Sequence, residues 1–99
     1  MKLPKQIQVG KTVYEVRRDK FSDMFGTMGS CDYKEKVIVI ATHSTIDGKR
    51  YKAEEIHDTF WHEIVHCILH DMNHPLESNE RFVTKFANRL ATAINSAKF

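Results

Sequence analysis

His62 and His66 stand four residues apart, with Glu63 directly after the first of them. On a helix this spacing sends both imidazoles off one face a turn apart, so they can grip a single cation without backbone rearrangement. Glu63 lies about 100° further round, beside such an ion rather than on it. A carboxylate there can take a proton from water and hand it to a leaving amine, the task of a general base in metal-assisted peptide hydrolysis. Zinc suits the work, because it lowers the pKa of its water to about 7 and polarises a carbonyl without redox change. Six histidines and seven glutamates in 99 residues would produce the five-residue pattern by chance in roughly two of a hundred such chains. Its setting therefore matters more than its occurrence.

The setting is helical. From about Ala53 to Met72, at about 100° per residue, Ile56, Phe60, Trp61, Ile64, Val65, Cys67, Ile68, Leu69 and Met72 cover roughly 220° of the circumference. The remaining arc holds Thr59, His62, Glu63, His66, His70 and Asn73. An ordinary solvated stripe carries Lys and Glu; this one carries imidazoles and a carboxylate. The pattern predicts a largely buried helix whose polar stripe faces a cleft. Asn73-His74-Pro75 ends it, since proline disfavours helix in the residue before it. Ser78 is the expected N-cap of a second helix running to about Ala97. Its apolar face is Phe82, Val83, Phe86, Ala87, Leu90 and Ile94, with Arg81, Lys85 and Arg89 on the solvated side.

Ahead of the helices lie strand signals. Ile7 and Val9 alternate with polar neighbours, Gly10-Lys11 can form a tight turn, and Tyr14 and Val16 continue the alternation. After a Gly- and Met-rich loop around Met24 to Gly29, a second hairpin is expected. It pairs Met28 to Tyr33 with Val37 to Ile40 across Lys34-Glu35-Lys36. A polar loop over residues 43–49 then precedes the change to helical period. The expected fold is α+β: a short antiparallel sheet of about three or four strands packed on the histidine helix and a C-terminal helix. No repeat or low-complexity stretch divides the chain, so residues 1–99 read as one minimal domain.

Two imidazoles do not complete a catalytic zinc site, which needs a third protein ligand. Glu80 is the first choice, because it shares a helix flank with Val83 and Ala87 and can point inward across the helix pair. His74 follows the helix break and could swing back. Glu77 precedes the expected cap and reads as exposed. His70 is a further turn along, about 12 Å from His62 between Cα atoms, a poor fit to one tetrahedron and better suited to a supporting or surface role. An oxyanion donor is also required. Tyr33, His43 and His57 are candidates, and nothing in the sequence chooses among them.

Charge distribution favours a cation. Residues 53–80 hold seven acids, five of the six histidines and no Lys or Arg, whereas residues 1–52 hold eleven basic and six acidic side chains. Nucleic-acid binding through Lys11, Arg17, Arg18 and Lys20 is not expected, because those charges alternate with Glu15 and Asp19 and no reader motif accompanies them. No apolar run suits a signal peptide or a membrane span, the longest being Val37 to Ala41, so a cytoplasmic location is expected. Cys31 and Cys67 are too few for a disulfide framework, stand far apart in sequence and read as free thiols, Cys67 within the apolar pattern.

Phe60-Trp61-His62-Glu63-Ile64-Val65-His66-Cys67-Ile68-Leu69-His70, followed by Asn79-Glu80-Arg81-Phe82-Val83 and Phe86-Ala87, resembles small phage- and prophage-encoded metallopeptidase-like proteins. These are minimal gluzincins, similar to the ImmA/IrrE-type metallopeptidase domain. Leu3-Pro4-Lys5, Val13-Tyr14 and Asp32-Tyr33 extend the resemblance into the N-terminal half. It implies a zinc-dependent peptidase acting on a protein or peptide, with a short twisted sheet, the motif helix and a helix bearing Glu80 as third ligand. One departure stands out. Four residues after that ligand, gluzincins often carry an acid that hydrogen-bonds a ligand histidine, and here the residue is Thr84. The competing expectation is a catalytically weak or inactive zinc module that acts by binding a protein partner in a phage–host setting.

Overall fold

The computed structural model describes residues 3–22 and 26–99; part of the expected Gly- and Met-rich loop, residues 23–25, lies outside the described residues. Strand β1 (Gln6–Val9) turns through Gly10-Lys11 into β2 (Thr12–Asp19). Gly10 has φ +59°, the conformation such a two-residue turn needs at its first position. β3 (Gly29–Asp32) and β4 (Val37–Ala41) form the second expected hairpin. Asp32 Oδ1 closes its turn by accepting the N–H groups of Lys34 at 3.0 Å and Glu35 at 2.8 Å.

The four strands lie in the order β1-β2-β4-β3, and β2 and β4 run parallel. The sheet is thus mixed rather than antiparallel as expected. Composition explains the difference. Val37–Ala41 is apolar at every position, the pattern of an interior strand covered on both faces, and Ile38 and Ile40 are fully buried. The chain therefore runs past β2 to lay β3 at the sheet edge, then returns to insert β4 between them.

Helix α1 (Ala53–Asp71) crosses this sheet, and Ile56, Phe60, Ile64 and Cys67 bury against Val9, Tyr14, Ile38 and Ile40. Its other apolar flank, Val65 and Leu69, meets Val83 and Ala87 of α2 (Glu80–Ser96) in a second cluster. The broad apolar arc read from the sequence is thus two faces, one for the sheet and one for α2. Ile68 and Met72, counted on that arc, are exposed. On α2 the buried line is Val83, Ala87 and Ala91, small side chains that let the helices approach, while Phe86 is exposed. No helix among the described residues is long and apolar enough to cross a membrane.

A left-handed Asn73 (φ +51°) ends α1, and the His74 N–H bonds back to the Leu69 carbonyl at 2.9 Å. A 3-10 turn, Pro75–Ser78, then leads into α2. The N-cap is Asn79, whose Oδ1 accepts the Phe82 N–H at 3.0 Å, one residue after the expected Ser78. Ser78 closes the intervening turn instead.

Candidate metal centre

Helix α1 turns His62 and His66 to the same side, with ring centroids 5.0 Å apart. The tight Pro75–Ser78 turn reverses the chain within a few residues, so the first turn of α2 stands opposite them. Glu80 bridges the two: His66 Nε2 lies 2.7 Å from its Oε1 and His62 Nε2 lies 3.1 Å from its Oε2. A carboxylate only accepts, so each Nε2 must carry a proton to make these contacts. Donor atoms of the three side chains all lie within 4.8 Å of one another. Four ligands at zinc distances form a tetrahedron with edges of about 3.3 Å, so a nitrogen–nitrogen–oxygen set of this spacing fits a zinc-sized cation with small side-chain adjustments.

Burial lowers the His62 pKa, an effect Glu80 partly offsets and His66 reinforces. A neutral imidazole is the form that can ligate a metal. Glu63 is 8% exposed, and burial pushes its carboxyl up to about 7, with His66 opposing the rise and Glu80 adding to it. The sequence-predicted base thus sits in the least hydrated part of the cluster, with its proton poised near neutrality.

These residues line a cleft of about 610 Å³ between α1, α2 and the start of β3. Its floor depends on Gly29. A Cβ there would lie 2.8 Å from Thr59 Cγ2, 3.1 Å from the Val39 carbonyl oxygen and 3.3 Å from Glu63 Cγ. Only a residue without a side chain lets the edge strand press this close to the helix. Gly29→Val is therefore expected to destabilise the fold by about 1–3 kcal/mol through overpacking, read as a drop of several degrees in melting temperature. An unchanged melting temperature would mean that β3 stands off the helix in solution.

The other candidates have different work. His74 Nδ1 accepts the Leu76 N–H at 3.1 Å and caps the 3-10 turn. His70 stacks face to face on Tyr33, centroids 3.7 Å apart and planes 3° from parallel. The Tyr33 hydroxyl donates to Glu77 Oε1 at 2.6 Å, and burial together with that bond raises its pKa. His43 Nδ1 contacts Thr42 Oγ1 at 2.8 Å, and His57 Nδ1 lies 3.3 Å from Asn95 Nδ2. None of the three suggested oxyanion donors lines the cleft.

Glu77, read as exposed, is half-buried, and its Oε1 faces His66 Nδ1 at 3.6 Å. A carboxylate thus stands on the outward nitrogen of one imidazole, held there by Tyr33. Sequence reasoning also passed over Asn88, which lines the cleft with Glu80 and Thr84. The available signal was their spacing of four, which puts all three on one stripe of α2. The two cysteines, distant in sequence, meet with their sulfurs 2.9 Å apart. Their contact, together with burial, raises the Cys31 pKa. No protein-family model, curated protein or solved structure matches this chain.

Proposed function

We propose that the chain is a zinc-dependent peptidase of minimal gluzincin type, with His62, His66 and Glu80 as ligands and Glu63 as general base. The observation that carries this reading is the convergence of those three donors beside a buried glutamate on the wall of an open cleft. A zinc ion bound there would act as a Lewis acid on a water and a peptide carbonyl. Glu63 takes the proton of the attacking water and returns it to the departing amine, roles that suit a carboxyl whose pKa is raised to about 7. Glu77 orients His66 and supplies the negative charge that Thr84 lacks. The Asn88 amide is a hydrogen-bond donor on the cleft wall for substrate backbone.

The test combines binding with turnover. Zinc-replete protein is expected to hold one zinc per chain and to cleave an unfolded protein substrate, with cleavage lost on chelation and restored by zinc. At a hundredfold excess over Kd the ion adds about 2.7 kcal/mol to stability, which raises the melting temperature of a chain this size by about 13 °C. Elemental analysis finding no metal in such preparations would overturn the assignment. A second reading, a zinc module that binds a protein partner without hydrolysis, rests on one observation: Tyr33, His43 and His57 all engage groups outside the cleft.

A further inference from the structure

The chain contains two cysteines, and the fold brings both together across its core. Cys31 lies on β3, the edge strand, whose one partner strand among the described residues is β4. Cys67 lies on α1, fully buried and directly after His66. Apolar packing between strand and helix requires no sulfur at either position, since any two small hydrophobes would fill the space. Here the sulfurs are 2.9 Å apart, so closing by about 0.9 Å reaches the S–S bond length. Cys31 is only partly buried, which leaves one member of the pair accessible from outside.

We propose that Cys31 and Cys67 are a redox-active pair that forms a reversible intramolecular disulfide by exchange with a small-molecule disulfide, tying the edge strand to the histidine helix. The thiolate form of Cys31, a minor one because the Cys67 contact and burial raise its pKa, attacks the small disulfide, forming a mixed disulfide and releasing one small thiolate. Deprotonated Cys67 sulfur then attacks the Cys31 sulfur, forming the internal bond and releasing the second small thiolate. The two protein thiols are oxidised, their protons pass to the two released thiolates, and one small disulfide is reduced. The bond would act on the cleft directly. Gly29, two residues before Cys31, seats against Glu63 and Thr59, so the tether fixes the strand that floors the cleft whether or not the site hydrolyses peptides.

The full chain is incubated with oxidised glutathione without denaturant, alkylated, and measured by intact mass and non-reducing peptide mapping. The expected product is a monomer lighter by two hydrogens, resistant to alkylation, with the Cys31 and Cys67 peptides joined and the bond reversed by dithiothreitol. Its melting temperature should rise by roughly 15–20 °C, as closing a loop of this length constrains the unfolded chain. A stable glutathione adduct on Cys31 with Cys67 still alkylated only on unfolding would overturn the proposal, as would disulfide-linked dimers or no reaction. Cys31→Ser, at the less buried position, should abolish both the mass loss and the thermal shift. A thermal shift that persists in that variant also overturns it.

Discussion

Glu63→Gln is expected to leave folding and zinc content near those of the parent chain while cutting peptide hydrolysis by about 100-fold or more. The substitution keeps the shape of a side chain that is 8% exposed, so it opens no cavity against Gly29 and Thr59. It also removes an ionisable group whose charged form burial disfavours, as the raised pKa shows, so the melting temperature should be unchanged or slightly higher. What is lost is the ability to accept a proton from water. Zinc content, melting temperature, cleavage and biological effect need measuring in the same preparations, because lost activity with lost zinc would carry no mechanistic meaning. A variant that keeps its zinc and its full biological effect would sink the hydrolytic reading and leave the protein-binding module as the better account.

Glu80→Ala is expected to remove most zinc affinity, raising Kd by at least about 100-fold, because two histidines on one helix make an incomplete site. Its side chain is 67% exposed, so truncation costs little stability in the metal-free chain and the loss can be read as a binding effect. Glu77→Ala is a graded control. It keeps all three ligands but removes the carboxylate facing His66 Nδ1, for which a loss of about 10–100-fold is expected. His74→Ala should retain full affinity and only loosen the Pro75–Ser78 turn that it caps. Zinc titration of the four proteins ranks them. If His74→Ala empties the site while Glu80→Ala leaves it full, the ligand set is wrong even though the chain binds metal.

The local features were legible because the chain writes them at short range. A four-residue histidine spacing on an otherwise apolar helix, a Gly-Lys turn between alternating strands and a proline after Asn73 each act within a few residues. The α+β class and the boundaries of α1 followed from such signals. The order β1-β2-β4-β3 did not, since two hairpins of this kind can be joined antiparallel as well as parallel. What decides it is where Val37–Ala41 finds cover on both faces, a property of the assembled layers. The same holds around the cleft. Glu80, Glu77 and His74 are near neighbours in sequence, and all three could reach α1 on spacing alone. The 3-10 turn and the Asn79 cap set their directions: Glu80 onto both histidines, Glu77 onto Tyr33 and His66, His74 onto its own turn. The meeting of Cys31 with Cys67 and the approach of Gly29 to Glu63 likewise depend on β3 lying at the sheet edge over α1. Helical period and turn chemistry set what each element presents, because they depend on backbone geometry within a few residues; partners across the fold depend on which apolar faces exclude water together, which only the packed chain decides.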